Sequence, residues 1–201
     1  VAKIKAAGGQ AAAIRADVAT PGEVAALFDQ AVTLFGGVDI LVNNAGILQP
    51  GSVPLADTDD ALFDRIIAVN LKGTFHTLRA AAAKLRDGGR IINFSTTVRR
   101  LALPGYSIYT ATKAAVESLT ITFAKELRGR HITVNAVAPG PTATELFLTG
   151  KSEQLIETFA KMPPLERLGT AEDIANVVAI LAGPDGGWVN GQTIYANGGI
   201  A

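Results

Sequence analysis

The sequence predicts an α/β fold, a doubly wound parallel sheet with helices on both faces, in three layers. Three observations predict it. Short apolar runs alternate with longer helical patterns along the chain. Those runs are continuous rather than alternating, as expected of strands buried on both faces. Glycine pairs, Gly36-Gly37 and Gly88-Gly89 among them, end the helical patterns before the next run begins. No internal repeat, low-complexity segment or linker interrupts the pattern, so residues 1–201 are expected to form a single domain.

Val1 to Ala7 reads as the last two turns of a helix, with Lys3 and Lys5 near its end and Gly8-Gly9 as its stop. No start signal precedes it, so the chain is expected to begin inside a larger domain. Ala11 to Val18 is a candidate strand, broken by Arg15 and Asp17. Thr20-Pro21 opens a helix running to about Phe35, with Pro at its first position. Val38 to Val42 is a buried strand that ends in Asn43-Asn44-Ala45-Gly46. An acidic start at Asp57 to Asp60 leads into a helical pattern over Ala61 to Arg86.

Arg90 to Ser95 is the next strand, and Thr96 to Gly105 a loop. Ser107 to Arg128 is a long helix, and Ile132 to Val137 a strand ending in Pro139-Gly140. Gly150 to Met162 is a short helix within a longer excursion. Thr170 caps a helix to Leu181 with Glu172 and Asp173 in its first turn. Gln192 to Ala196 is the last strand.

Composition excludes several function classes. Apolar residues make up 48% of the 201 and aromatics 6%, so Ala, Val, Ile and Leu fill the core. Lys+Arg and Asp+Glu number 18 each, which gives no overall electrostatic case for nucleic acid or an anionic membrane. The absence of cysteine removes disulfides, thiolate metal sites and a Cys nucleophile. Two histidines cannot form a three-His zinc site, and no metal is expected. No apolar run reaches the roughly 18 residues of a membrane span, and the N-terminus lacks the apolar region of a signal peptide. A cytoplasmic protein is expected.

In an open parallel sheet, ligands bind beyond the carboxyl ends of the strands. Three predicted strands end in distinctive residues: Asn43-Asn44-Ala45-Gly46, Asn93-Phe94-Ser95-Thr96 and Ala138-Pro139-Gly140. Next to them, Tyr109 and Lys113 stand four apart on a predicted helix and share one face. A tyrosine hydroxyl titrates near 10, too high for acid–base work at neutral pH. A nearby ammonium stabilises the phenolate and lowers that value, so the pair can pass a proton to or from an alcohol or carbonyl oxygen. Taken alone, the same spacing equally describes a packed Tyr and a solvated Lys.

Taken together, these residues resemble the short-chain dehydrogenase/reductase family. The resemblance runs from Asp17 to Gly199 and is carried by Asp17-Val18, Asn43-Asn44-Ala45-Gly46, Asn70, Ser95-Thr96, Tyr109-x-x-x-Lys113, and Pro139-Gly140 with Thr144, in family order. It implies a Rossmann-type domain and an NAD(P)-dependent oxidoreductase that interconverts a ketone and a secondary alcohol, with β-ketoacyl-carrier-protein reductases the nearest in look. It implies Tyr109 as general acid/base and Lys113 as the residue that depresses its pKa and holds the nicotinamide ribose. Asn70 would hold a water relaying protons to Lys113. The substrate-orienting hydroxyl is Thr96, thirteen residues before Tyr109, where the family usually has Ser; a slip of one residue would make it Ser95.

By the same resemblance Asp17 and Val18 contact adenine, and Asn44, Ala45 and Gly46 form the turn beside the adenosine ribose. Pro139, Gly140, Thr142 and Thr144 hold the nicotinamide carboxamide. NADP(H) is expected over NAD(H). Residues 144–164 correspond to a variable substrate lid. Its Leu146, Phe147 and Leu148, with Ile47, Leu48, Leu101 and Tyr106, are candidates for an apolar pocket or for ordinary packing. His76 and His131 are expected to be structural or solvated.

The family's glycine-rich turn, Thr-Gly-x-x-x-Gly-x-Gly, matches no segment of the chain. A preceding β-α-β unit, holding the two strands between the first visible strand and Val38, is therefore expected in the natural protein, and a chain without it is expected to fold poorly and lack activity. The partners expected are a small carbonyl or alcohol and further copies of the chain, in a homotetramer or dimer built on the Ala61–Arg86 and Ser107–Arg128 helices. The alternatives are a cofactor-binding or scaffolding relative without turnover, a truncated paralogue, and a nucleotide-sugar epimerase, whose chains carry a larger C-terminal domain. Enoyl reductases of the superfamily use a wider Tyr-to-Lys spacing than Tyr109 to Lys113.

Overall fold

A computed structural model describes all residues, 1–201. Four strands form one parallel sheet in sequence order: β1 (Val38–Asn43), β2 (Leu85–Phe94), β3 (Thr133–Pro139) and β4 (Thr193–Ala196). Parallel neighbours need long crossovers, and each here contains helix. The helices are α1 (Ala2–Ala6), α2 (Pro21–Phe35), α3 (Asp60–Ile66), α4 (Gly73–Lys84), α5 (Val98–Leu101), α6 (Ser107–Glu126), α7 (Glu145–Leu148), α8 (Glu153–Lys161) and α9 (Ala171–Ala182).

Successive residues of β2 divide the core between the two faces of the sheet. Ile91 packs with Val24 and Phe28 of α2, Leu78 and Ala81 of α4 and Val134 of β3. Its neighbour Ile92 packs with Val137 of β3 and with Ile174 and Leu181 of α9. Both faces of the central strands are thus covered, which is why their sequences are continuous apolar runs. The register pairs Asn43 with Asn93 and Phe94 with Val137, so the carboxyl ends of β1, β2 and β3 lie side by side. Asn43 Nδ2 donates to Asn93 Oδ1 at 2.8 Å, and Asn93 Nδ2 donates to Thr120 Oγ1 at 2.8 Å, tying the strand ends to α6.

Several elements differ from the sequence expectation. Residues 11–17 form no strand and Val18 lies in a turn. A strand exists only where a neighbour accepts its hydrogen bonds, and β1 pairs with β2 alone. The predicted helix over Ala61 to Arg86 is α3, a π-helical turn over Ile67–Lys72, and α4, which ends at Lys84. Leu85 is already extended, so Gly88-Gly89 lies within β2 instead of closing the helix. The loop after β2 contains α5, the excursion after β3 holds α7 as well as α8, and α6 stops at Glu126.

Helix α9 starts on a reciprocal cap. Asp173 N donates to Thr170 Oγ1 at 3.1 Å, and Thr170 N donates to Asp173 Oδ2 at 2.8 Å. Arg167 adds a two-pronged contact to the same carboxylate, which holds Asp173 well below the usual carboxylate range. Thr170→Ala leaves the Asp173 amide short of its partner and is expected to cost about 1 kcal/mol. Chemical denaturation of the variant beside the parent measures it.

Candidate active site

The carboxyl ends of the strands open into a cavity of about 650 Å³, the size of a small-molecule site. It is bordered by Asn44 and Gly46 after β1, by Ser95 and Thr96 after β2, by Tyr109 and Lys113 of α6, by Pro139 at the end of β3, and by Gly140, Thr142 and Thr144 after it. Leu48, Leu101, Tyr106, Leu146 and Phe147 add apolar walls. Ile47 and Leu148 do not border it, and neither do Asp17, Val18, Ala45 and Asn70.

Tyr109 and Lys113 meet the end of β2 from one turn of α6 to the next. Lys113 is 5% exposed and its Nζ donates to the Phe94 carbonyl at 2.9 Å. Burial lowers its ammonium from the ordinary 10.5 to about 8, because a charge taken from water is disfavoured. The Tyr109 phenol lies beside the Thr96 hydroxyl. Burial raises the phenol and the neighbouring Thr96 hydroxyl opposes that rise. Lys113 Nζ lies 5.8 Å from the centroid of the Tyr109 ring. Of the two influences on the phenol, desolvation is the larger.

Ser95 and Thr96 have different partners. Ser95 Oγ donates to Glu117 Oε1 at 2.5 Å. Thr96 Oγ1 accepts from Val98 N at 3.2 Å. An amide can only donate, so that contact leaves the proton of the Thr96 hydroxyl unengaged.

Asn70 sits in the π turn, a geometry common at functional sites. Its side chain is fully buried and tied to Ile47 in both directions: Oδ1 accepts from Ile47 N at 2.8 Å and Nδ2 donates to Ile47 O at 2.9 Å. It fixes the turn that follows Asn43. A Cβ on Gly46 would lie 3.5 Å from both Asn70 Oδ1 and Lys113 Nζ, so Asn70 meets Gly46 and Lys113 at a corner just behind the cavity wall. At Gly140 the glycine has an internal cause: a Cβ there would come within 2.8 Å of Asn197 Cα. The Thr142 hydroxyl donates to Gly140 O at 2.9 Å, and the Thr144 amide donates to Thr142 O at 2.7 Å, which shapes that strand end.

Asp17 and Val18 serve the entry to α2. Ala19 N donates to Asp17 Oδ1 at 2.9 Å and Asp17 N donates to Glu23 Oε2 at 2.8 Å. Val18 packs on the α2/α4 side of the core and its carbonyl lies 3.0 Å from His76 Nδ1.

Sequence reasoning did not single out Glu117, Arg99 or Tyr195. Glu117 lies four residues beyond Lys113, and extending the Tyr109–Lys113 spacing one step would have found it. Lys151, whose ammonium burial lowers, and Phe159, edge-on to Phe147, also border the cavity. Ile174, Ala175 and Val178 of α9 complete its wall.

A parallel sheet with a cavity across its strand ends, and a Tyr-Lys pair in that cavity, defines the dinucleotide-fold class of α/β enzymes. A family model described as Enoyl-(Acyl carrier protein) reductase matches residues 1–201. A short-chain type dehydrogenase/reductase of Picea abies is 50% identical over 194 residues, covering 96% of this chain and 72% of the relative. An NADPH-dependent aldehyde reductase 2, chloroplastic, of Arabidopsis thaliana is 47% identical, covering 92% of this chain and 70% of the relative. The crystal structure of a short chain dehydrogenase from Burkholderia cenocepacia J2315 in complex with NADP superposes with a TM-score of 0.92 at 37% identity, over 100% of this chain and 80% of that one. The chain belongs to the short-chain dehydrogenase/reductase family of oxidoreductases. No helix is long and apolar enough to cross a membrane.

Proposed function

We propose that this protein is an NADP(H)-dependent carbonyl reductase that interconverts a ketone and a secondary alcohol. The observation that carries the reading is the meeting of Tyr109, Thr96 and Lys113 at the end of β2, inside the cavity. NADP(H), when bound, supplies the hydride in reduction and accepts it in oxidation. In reduction, Tyr109 Oη gives its proton to the carbonyl oxygen as the carbonyl carbon gains the hydride, and the product is the alcohol. In oxidation the Tyr109 phenolate takes the hydroxyl proton back. Thr96 donates to the same oxygen and holds it against Tyr109. Lys113, pinned through Phe94, holds the nicotinamide ribose and returns a proton to Tyr109.

The donor set suits the nicotinamide end of a dinucleotide: a buried cation, threonines and a proline-glycine turn line the cavity together with apolar walls. Asn44, Ala45 and Gly46 are assigned to the adenosine ribose. Pro139, Gly140, Thr142 and Thr144 are assigned to the carboxamide. Asp17 and Val18 are assigned to adenine, and Asn70 to the proton relay through the corner it shares with Gly46 and Lys113. Residues 144–164 are assigned as the lid. The family-model description names an enoyl reductase, but the Tyr109–Lys113 spacing favours carbonyl over carbon–carbon double-bond chemistry. Association through α4 and α6 into a tetramer or dimer is part of the same reading; Phe75 and Ile121, each 45% exposed, lie on those helices.

Consumption of NADPH and of NADH at 340 nm by the purified protein, across aldehydes, small ketones and β-ketoesters, tests the reading. Carbonyl-dependent oxidation of NADPH is expected. Cofactor binding without turnover on any carbonyl would leave the scaffold alternative, and turnover confined to enoyl thioesters would replace ketone reduction.

A further inference from the structure

Helix α6 presents Tyr109, Lys113 and Glu117 four residues apart, as one stripe. Each reaches one of three consecutive residues at the end of β2. Tyr109 meets the Thr96 hydroxyl, Lys113 the Phe94 carbonyl and Glu117 the Ser95 hydroxyl. On the opposite side β3 holds the same segment by its backbone: Ser95 N donates to Val137 O at 2.7 Å and Thr97 N to Pro139 O at 3.0 Å.

Glu117 is 8% exposed. A buried carboxylate is costly unless its oxygens are partnered, and both are. Oε1 takes the Ser95 hydroxyl at 2.5 Å, and Oε2 lies 2.8 Å from Arg99 Nε. Arg99 Nη2 in turn donates to the Tyr195 hydroxyl at 2.8 Å, and the Arg100 guanidinium stacks 3.7 Å from the Tyr195 ring centroid. Glu117 therefore sits in a braced frame joining α6, α5 and β4, and its free end grips the residue between the two contacts that Tyr109 and Lys113 make.

We propose that Glu117 is a positioning residue of the carbonyl-reducing site: through Ser95 it fixes the Phe94 carbonyl and the Thr96 hydroxyl relative to Lys113 and Tyr109. The inference rests on the proton-transfer reading of Tyr109 and Lys113 given above. Glu117 touches neither reacting atom. It acts by reach, because a displacement of about 1 Å at Thr96 is enough to lower turnover up to a hundredfold.

Reach and charge are separable by substitution. Glu117→Asp keeps the charge and draws the carboxylate back by one methylene. Glu117→Gln keeps the length, and its amide satisfies both neighbours by donating to Ser95 Oγ and accepting from Arg99. Ser95→Ala removes the contact without stranding Arg99.

The test measures kcat, KM for carbonyl and cofactor, and the pH profile of alcohol oxidation for these variants and Tyr109→Phe, with thermal melting as the control for folding. Ser95→Ala and Glu117→Asp are expected to lower kcat about tenfold or more, with little change in cofactor KM. Glu117→Gln is expected to recover most of that loss. Because the Thr96 hydroxyl beside the Tyr109 phenol opposes its rise, displacing that hydroxyl moves the rising limb of the oxidation profile to higher pH, which a loss of folded protein alone does not do. A folded Ser95→Ala protein with parental kcat and pH profile overturns the inference, and so does Glu117→Asp outperforming Glu117→Gln, which makes charge the cause. If Tyr109→Phe abolishes turnover while Ser95→Ala and Glu117→Asp do not, only the Glu117 inference falls. If Tyr109→Phe keeps parental turnover, the catalytic reading falls and takes this inference with it.

Discussion

Tyr109→Phe is expected to reduce kcat in both directions by about a thousandfold, within the 10²–10⁴ range of a positioned acid–base group. The substitution removes one oxygen and leaves the ring. The Phe94, Lys113 and Thr96 positions are untouched, because α6 and the end of β2 hold them through Lys113 Nζ and the β3 ladder. Removing a hydroxyl whose burial disfavours its ionised form does not strand a charge. The folded protein and its cofactor affinity are therefore expected to persist while turnover fails. Equilibrium binding of NADPH beside steady-state kinetics separates the two: a loss confined to kcat marks an interaction made in the transition state. A parallel loss of binding assigns Tyr109 to the cofactor alone.

Lys113→Met is the second large effect, and it reads out in stability as well as activity. Turnover is expected to fall by two to four orders of magnitude, since the same proton route loses its cation. In stability the sign is worked out from the burial of the amine, which lowers its folded value from 10.5 to about 8. Between those values the unfolded chain binds more protons than the folded one, so stability rises with pH. The contribution is present above 10.5 and is lost as pH falls through about 8. Over the whole window it amounts to about 3 kcal/mol. The Met variant has no such group, so its stability relative to the parent is expected to fall by about that amount as pH is raised from 7 to 11. Paired denaturant titrations at several pH values measure it, and a pH-independent difference overturns it.

Much of the fold was legible, for reasons that individual residues make plain. β2 and β3 are covered on both faces, so their sequences carry the unbroken apolar runs that mark them. Residues 11–18 carry a similar run, yet strand formation depends on a neighbour that residues 11–18 cannot encode. Tyr109 and Lys113 were legible as a pair because a four-residue interval on a helix is a spatial statement. The different partners of Ser95 and Thr96 were not, because Ser95 is held by a glutamate 22 residues away from it. Glu117 itself resembles any charged residue on a helix, and its partner Arg99 meets Tyr195 across 96 residues of sequence. The Phe94 carbonyl has no sequence signature at all, since every residue carries one. The close approach of the Asn197 backbone to Gly140 has no local signature either, since 57 residues separate the two.

The π turn between α3 and α4 has a further consequence. Winding from residue i to i+5 instead of i+4 stores one surplus residue in that turn. The surplus places Asn70 against Ile47 while Ile66 before it and Leu78 after it still face the interior. A single-residue deletion within 67–72 would thus rewind the segment to an ordinary α-helix and leave both flanking apolar faces aligned. The packing of the two flanking helices has no use for that residue; the Ile47 turn and the corner shared by Asn70, Gly46 and Lys113 do. Length variation at this point would separate chains that keep the scaffold from chains that keep the chemistry.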